Sequence, residues 1–396
     1  MKKSIVTGLL ASAISVSSVM ASGAVMAKDG LGDFLISPMY MAKGNVCTEL
    51  KVFNTNETNS ILAKVTFREQ ISSEEVDLPI FLSPGDVWYG EVCNENGKII
   101  LTSDDDSNHP KIAADLKSGR DLTAISHAAG HTNVDFSLGY AEIYPIAQFN
   151  EKSNAKVEKS ILVDRWDALA RGDKSNSKLR KEGVDGYSLS GLTTYKNYKL
   201  SDIVGTETAK LPMVAFKGTH SKQVTGSAIA YSMDTSPELL LGSSSKKEIL
   251  KLLQNEKTSF TYSNGGKNQY ISLTFPFSYS TVQRRTFEVT VRDNEENKDI
   301  KENVIIFSPA PVAKTDYIEN EVELISVEEI IASTQNPSMF KSGMIQIKDI
   351  TNVDSVQLGQ GTASYIPTSF SFVKTNPNKC NNETNMVLNT TYVPSK

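Results

Sequence analysis

The stretch from Leu50 to Val92 most constrains the fold of this chain, because short β-type runs alternate there with residues that favour turns. Runs rich in Val, Ile, Leu and Phe are separated first by an Asn- and Thr-rich segment and later by Ser83-Pro84-Gly85-Asp86. Proline fixes φ and glycine reaches positive φ, so this tetrapeptide predicts a turn. Four short strands joined in this way predict an antiparallel meander at the centre of a β-sandwich.

Further strand-like runs extend this meander in both directions. Phe34–Met41 precedes it, and Pro38 within that run indicates an edge strand or a bulge, since proline cannot donate to a strand ladder. In total, seven or eight strands are predicted between Asp33 and Phe149. That number suits one immunoglobulin-like β-sandwich, so we predict a β-sandwich domain over residues 28–150.

The composition changes after residue 150, where a second β-rich domain with two inserted helices is predicted over residues 151–396. A helix near 157–170 is indicated by Leu162, Trp166 and Leu169, which share one helical face. A second helix near 246–255 follows the capping box that starts at Ser245 and ends at Glu248. Strand-like runs return after it, and their pairing back into the first sheet stays open as an alternative.

The N-terminus predicts export. Lys2 and Lys3 precede an apolar run from Ile5 to Val19, and small residues follow. This order is typical of a secretory signal peptide, which we assign to residues 1–27 with cleavage after Ala27; Val19-Met20-Ala21 is an earlier option. No later apolar run is long enough to span a bilayer. We therefore predict a secreted, periplasmic or cell-surface protein.

Charge and cysteine content narrow the function classes. The net charge of -5 argues against a nucleic-acid-binding protein, which would present a basic face. The chain has three cysteines, Cys47, Cys93 and Cys380. Cys47 begins one predicted strand and Cys93 ends another, so a Cys47–Cys93 disulfide is favoured, with Cys380 as a free thiol. A bridge from Cys380 to either of the others stays open.

Two weak candidate metal sites appear in the sequence. His127 and His131 have a spacing that joins two imidazoles to one metal when it lies on a helix, but a loop is favoured because the helical context is missing. Asp104, Asp106 and Asn108 follow part of a calcium-loop pattern that lacks its glycine, and a solvated acidic turn is favoured. No catalytic residue and no cofactor are predicted.

Several short motifs occur in an order that resembles an uncharacterised family of bacterial exported β-rich, cell-surface proteins. The resemblance spans most of the chain after the signal and implies that both halves form one unit rather than exchangeable modules. This chain has Asp293-Asn294-Glu295-Glu296 where the family has Asp-Arg-Glu-Glu, which implies the loss of a charged contact. The motifs are Asn54-Thr55, Phe67-Arg68-Glu69, Leu82-Ser83-Pro84-Gly85-Asp86-Val87-Trp88, Gly139-Tyr140-Ala141-Glu142-Ile143, Leu273-Thr274-Phe275-Pro276 and Phe307-Ser308-Pro309-Ala310-Pro311.

The favoured function is an exported surface or extracellular structural or interaction protein without catalytic activity. One alternative is a secreted carbohydrate-binding protein or carbohydrate-active enzyme, which predicts exposed aromatic side chains that line a concave site beside two carboxylates. A second alternative is a subunit of a surface polymer, in which the Phe34–Met41 strand is added to a neighbour's sheet edge. The partner itself is not defined by the sequence; self-association and other surface components are both open.

Overall fold

The computed structural model describes residues 24–150, 159–170, 189–197, 207–219, 241, 243–277, 285, 287–295, 298–301, 320–349 and 364–374. The predicted signal region up to residue 23 and Cys380 lie outside these residues. Within them the fold is mainly β, as predicted.

The strands are β1 Val25–Met26, β2 Phe34–Met41, β3 Val46–Asn54, β4 Asn59–Glu69, β5 Glu75–Leu82, β6 Val87–Glu95, β7 Lys98–Thr102, β8 Arg120–Asp121, β9 Leu138–Asn150, β10 Leu189–Asn197, β11 Glu207–Pro212, β12 Val214–Lys217, β13 Lys257–Tyr262, β14 Gln269–Thr274, β15 Phe287–Asp293, β16 Lys298–Lys301, β17 Val322–Ser326, β18 Gly343–Asp349, β19 Ile366–Ser371 and β20 Val373–Lys374. The helices are α1 Pro110–Ser118, α2 Leu122–Ala128, α3 Lys159–Ala170, α4 Ser243–Leu252 and α5 Val327–Ala332, with short 3-10 turns at Asn264–Gly266 and Pro337–Met339.

Two large antiparallel sheets form the first part of the fold. Sheet I has the strand order β1-β12-β2-β9-β4-β5, and sheet II has the order β20-β11-β10-β3-β6-β7-β8. One hydrophobic cluster takes side chains from both sheets, so the two sheets pack face to face as a sandwich. Its members include Leu35, Ile61, Val65, Phe67 and Ile143 from sheet I and Leu50, Val52, Trp88, Val92 and Leu101 from sheet II.

Strand β4 of sheet I is buried on both of its faces. All of its residues are buried, and it pairs with β5 on one side and β9 on the other. Ile61, Val65 and Phe67 point into the sandwich core, whereas Leu62 belongs to a second cluster on the opposite face. Because side chains alternate along a strand, Lys64 shares the face of Leu62 and is buried with it.

Local turn chemistry matches the sequence at two prolines. Asp86 N donates to the carbonyl of Ser83 at 3.1 Å, and Gly85 has a φ of 72°, so the predicted turn forms with Pro84 and Gly85 at its centre. In β2 the register with β9 shifts between Ser37 and Tyr40. The irregularity surrounds Pro38, so the bulge that this proline predicted is present inside a sheet.

Strands after residue 150 complete both sheets of the sandwich. β10 pairs with β3 from Leu189 opposite Asn54 to Asn197 opposite Val46. β12 pairs with β2, and β20 adds to β11 at the edge of sheet II. Of the described strands that follow the second predicted helix, β20 joins sheet II, so the alternative of C-terminal strands pairing back applies to it. β10, β11 and β12 lie before that helix, and the pairing of β10 with β3 and of β12 with β2 crosses the predicted boundary at residue 150.

Sheets III and IV form a second, smaller layer pair. Sheet III has the order β13-β18-β15-β16, and sheet IV has the order β17-β14-β19. Their shared core includes Phe260, Ile271, Phe275, Val289 and Ile347. This unit lies against the sandwich, since the backbone N–H of Glu321 donates to the carbonyl of Gln70 at 2.7 Å.

Two of the helices match the predicted ones, because α3 covers most of 157–170 and α4 overlaps 246–255. Leu162 and Trp166 of α3 are fully buried, as their helical spacing predicted. The helices α1, α2 and α5 were not predicted. The prediction of two helices in the second β-rich region is therefore incomplete, because α5 also lies in that region.

Candidate interaction face

The outward side of sheet II carries two exposed apolar side chains, Val87 and Tyr89, which we call the strip. In β6 the burial alternates, so that Val87 and Tyr89 face solvent while Trp88 and Gly90 face the core. Val87 is 37% exposed and Tyr89 is 38% exposed, and they are two of the five large hydrophobic side chains that are this exposed in the described residues. We call the outward side chains of β3, β6 and β10 the outer face: Glu49, Lys51, Phe53, Val87, Tyr89, Glu91, Leu192, Thr194 and Lys196.

Gly90 explains why β6 can present this strip. A Cβ atom at Gly90 would lie 2.7 Å from the ring of Trp88, so glycine at this position leaves room for that ring. The Trp88 ring is fully buried and fills the sandwich core under the outer face. The inward side of β6 is therefore tightly packed, and this packing positions Val87 and Tyr89 on the outward side.

A charge network lies beside the strip. Lys196 on β10 contacts Glu49 at 2.9 Å and Glu91 at 2.9 Å, and Lys51 contacts Glu49 at 3.0 Å. Partial burial lowers the pKa of Lys196, but its hydrogen bonds to Glu49 and Glu91 outweigh burial, so that the pKa is raised above its ordinary value. The network ties three neighbouring strands together through charged side chains.

The Cys47–Cys93 disulfide closes one end of the outer face. Thr48 lies opposite Val92 in the β3–β6 pairing, which places Cys47 opposite Cys93. Their Cα atoms are 4.5 Å apart, the separation of a directly opposed pair in an antiparallel ladder. The disulfide predicted between the ends of these strands is therefore present, and it joins adjacent strands.

An acidic loop borders the other side of the strip. Trp88 Nε1 donates to Asn108 Oδ1 at 2.9 Å, and Asn108 Nδ2 donates to Ser103 Oγ at 2.9 Å and to the carbonyl of Asp105 at 2.8 Å. The loop between Ser103 and Asn108 is thus fastened to the buried Trp88. These hydrogen bonds place Asp104 and Asp105 beside β6.

Tyr89 joins the strip to this loop. Its hydroxyl donates to Asp104, and its backbone N–H donates to the carboxylate of Asp105 at 3.2 Å. The hydrogen bond to Asp104 raises the pKa of Tyr89 to about 12, so the side chain is a neutral phenol at physiological pH. The outcome is an oriented, exposed aromatic ring beside two carboxylates.

The calcium candidates do not converge. Asp104 and Asp106 are exposed, while Asn108 is buried and its amide holds Trp88 and Ser103. Asp104 accepts from Tyr89 instead. Within the described part of the chain, no group of three or more His, Cys, Asp or Glu side chains is placed to hold a metal ion.

The histidine candidates are separated by a helix end. His127 lies in the last turn of α2, and Gly130 follows with a φ of 99°. The backbone N–H of His131 donates to the carbonyl of Ser126 at 3.1 Å, and the backbone N–H of Gly130 donates to the carbonyl of His127 at 3.0 Å. These bonds form a Schellman motif that turns the chain away. His131 instead contacts Glu74 at 3.1 Å.

A third histidine, His109, has a structural role that the sequence did not reveal. Its Nδ1 accepts from the backbone N–H of Lys111 at 3.1 Å and so caps α1. Its Nε2 faces Asp167 of α3 at 3.4 Å, and its ring packs on Phe81. Burial lowers the pKa of His109, and the Asp167 contact opposes that shift only in part. The neutral ring with a proton on Nε2 satisfies both contacts.

A pair of carboxylates that the sequence could not reveal meets around Arg68. Glu75 contacts Arg68 Nη2 at 2.7 Å and Glu142 contacts Arg68 Nε at 2.7 Å. Glu142 also accepts from the hydroxyl of Tyr144 at 2.7 Å. The three charged side chains are buried. Paired acids of a glycosidase must reach a substrate, so this cluster is a structural one.

The segment Asp293-Asn294-Glu295 forms a local turn. The backbone N–H of Glu295 donates to the side chain of Asp293 at 2.9 Å, and Asn294 Nδ2 donates to Ser342 Oγ at 2.8 Å. Glu296 lies outside the described residues. Asn294 thus makes a neutral hydrogen bond in this turn.

Comparisons with models of known protein families, with curated proteins and with solved structures found no match to this chain. Among the described helices, none is both long and apolar enough to cross a lipid bilayer.

Proposed function

We propose that this chain is an exported protein that acts by binding, without catalysis, through the outer face of sheet II. The observation that carries the proposal is the pair of exposed side chains Val87 and Tyr89, adjacent on one face of β6. Exposed apolar side chains next to each other and rimmed by polar groups are typical of interaction sites. Tyrosine is enriched at such sites because its ring is rigid and amphipathic.

The surroundings of the strip favour a specific contact over a non-specific apolar patch. The network of Lys196, Glu49 and Glu91 lies on one side, and Asp104 and Asp105 lie on the other. A central aromatic contact with a polar rim is the usual anatomy of a protein–protein interface. The favoured partner is therefore another protein of the cell surface or the surrounding medium.

Export is part of the same proposal. Disulfides persist in oxidising compartments, and the Cys47–Cys93 disulfide supports a secreted, periplasmic or cell-surface location. We further propose that the chain belongs to the bacterial exported β-rich family that its motifs resemble. The immunoglobulin-like character of the sandwich is part of this proposal as well.

Carbohydrate binding is the second candidate, and one observation favours it. The Tyr89 ring is exposed and held beside the carboxylates of Asp104 and Asp105. The carbohydrate alternative expects exposed aromatic side chains that line a concave site beside two carboxylates, and Tyr89 supplies one such ring. An aromatic ring packs on the apolar side of a sugar, while carboxylates accept hydrogen bonds from its hydroxyl groups.

The donated-strand route to a surface polymer has less support. β2, the strand that would be added to a neighbour, lies between β12 and β9 inside sheet I. All of its residues are buried. A strand in this position is integral to the sheet of its own chain, so polymer assembly would require another surface.

The test compares retention of exported variants on the cell envelope and on a glycan array. Replacing Val87 and Tyr89 by serine should lower envelope retention at least fivefold, because the apolar centre of the contact is removed. The matched control replaces Ile161 and Met339 by serine, since these side chains are equally exposed elsewhere, at 37% and 45%. If both double variants were retained on the envelope as well as the wild type, the proposal would be contradicted. If glycan binding on the array were lost when Tyr89 is replaced and kept in the control variant, the carbohydrate candidate would be favoured.

A further inference from the structure

The first described residues of the chain are built into the edge of sheet I. Val25 lies opposite Lys217 and Met26 lies opposite Phe216, so β1 pairs with β12. The backbone N–H of Ala27 then donates to the carbonyl of Ala215 at 2.8 Å. These residues continue the strand ladder beyond β12 and cover an edge that would otherwise present unpaired backbone groups.

Side chains and the α4 helix hold the same segment. Ala24 is buried, and Met26 packs against the hydrophobic cluster that contains Leu62, on the face of sheet I opposite the sandwich core. The backbone N–H of Ala24 donates to Glu248 of α4 at 2.7 Å. A helix and a strand that lie far along the chain therefore both contact residues 24–27.

The chain that follows β1 is fastened to β12 and does not act as a loose leader. Asp29 contacts Lys217 at 2.6 Å, and the backbone N–H of Asp33 donates to the carbonyl of Phe216 at 2.9 Å. β12 is thus held between β1 on one side and β2 on the other. Removal of β1 would leave β12, which has four residues, as the edge strand of sheet I.

The tripeptide Val-Met-Ala occurs twice in the predicted signal region, once at the end of the apolar run and again shortly after it. Val19-Met20-Ala21 and Val25-Met26-Ala27 both place Val and Ala at the positions that signal peptidase reads. Cleavage after Ala27 would remove Ala24, β1 and their contacts with α4. Cleavage after Ala21 would leave all of them in the mature protein.

We propose that signal peptidase cleaves after Ala21, so that the mature chain begins at Ser22 and β1 is a permanent part of sheet I. This inference rests on the proposed export of the protein. It replaces the expectation of cleavage after Ala27 with a site that preserves the contacts of residues 24–27. The bond that is hydrolysed joins Ala21 to Ser22, with water as the second reactant.

The direct test is the intact mass and N-terminal sequence of the protein recovered from the extracytoplasmic fraction of its host. A mature N-terminus at Ser22 supports the inference. An N-terminus at Lys28 overturns it while leaving export in place. An unprocessed chain that starts at Met1 and stays in the cytoplasm contradicts both this inference and the proposed export.

A second measurement tests whether β1 belongs to the folded protein. Two purified chains, one starting at Ser22 and one at Lys28, are compared by hydrogen exchange of the peptide that covers β12. The shorter chain should exchange at least tenfold faster there, because the β1 partners of β12 are missing. The peptide that covers β3 is the internal control and should not change. Equal exchange of β12 in both chains would overturn the assignment of β1 to the mature fold.

Discussion

The buried contacts of Arg68 lead to a prediction with a matched control. Glu142 is 0% exposed, and it accepts hydrogen bonds from Arg68 Nε and from the hydroxyl of Tyr144, both at 2.7 Å. Glu142→Gln keeps the shape of the side chain but removes its charge. Arg68 then remains buried with Glu75 as its charged partner, at 2.7 Å.

The magnitude follows from burial. Removing one partner of a buried ion pair costs about 3–5 kcal/mol, because the remaining charge is left without compensation in a low-dielectric environment. Glu75 retains part of that compensation, so we expect Glu142→Gln to lower the free energy of unfolding by about 3 kcal/mol. Glu91→Gln removes an ion pair with Lys196 on the outer face, where both side chains are partly exposed. That change should cost about 0–1 kcal/mol.

Equilibrium unfolding in urea, followed by circular dichroism, measures both variants on one scale. The midpoint for Glu142→Gln should fall clearly below that of the wild type, with an unchanged slope, while the midpoint for Glu91→Gln should stay close to it. If Glu142→Gln were no less stable than Glu91→Gln, the assignment of a stabilising role to the buried cluster would be refuted.

Three other stability effects are expected. Cys47→Ala with Cys93→Ala removes a cross-link between residues 46 apart; chain entropy assigns it about 4 kcal/mol, so urea unfolding should show a loss of about 2–4 kcal/mol, and an unchanged midpoint would contradict this. Burial lowers the pKa of His109, which faces Asp167 and Lys111, so its contribution to stability is complete above its ordinary pKa of 6.5 and is lost as the pH falls below that value. His109→Asn retains a capping acceptor, and thermal unfolding from pH 7 to 5 should show a smaller decline for this variant than for the wild type. Burial raises the pKa of Glu323 to about 7, so its unfolded form ionises first and stability falls as the pH rises from 4.5 to 7; Glu323→Gln should be the more stable chain at pH 8, and the reverse order would contradict the assignment.

The local features of the fold were predictable from the sequence because they depend on residues close together in the chain. Pro84 and Gly85 fix a turn through their own backbone preferences. Pro38 indicates a bulge because it lacks an N–H group. The Cys47–Cys93 pairing followed from two strand ends, although the sequence did not establish that those strands are neighbours.

The long-range pairings were not predictable in the same way. β10 lies beside β3, and nothing local in β10 selects that partner, since register is decided by which face is buried after the sheets pack. Lys64 and Arg68 were also unexpected inside the protein, because charged residues are rarely buried without a partner. Their partners Asp77 and Glu142 lie on neighbouring strands, which the sequence does not align.

The helix α5 has a clear signal in the sequence. Ser326 and Glu329 have the spacing of a capping box, and the side chain of Ser326 accepts from the backbone N–H of Glu329 at 3.4 Å, so α5 could have been predicted. His109 offered less, because histidine is an uncommon capping residue. The outer face depends on the alternation in β6, which was visible, and on the packing of Trp88 below it, which was not.

The central claim is that the outer face of sheet II contacts a partner, and site-specific photo-crosslinking in living cells tests it most directly. A photoreactive phenylalanine analogue replaces Tyr89 in one exported chain and Met339, another exposed position, in a second chain. The account predicts a discrete cross-linked product from position 89 that is missing from position 339. Products of equal yield from both positions, or a product from position 339 alone, would contradict it.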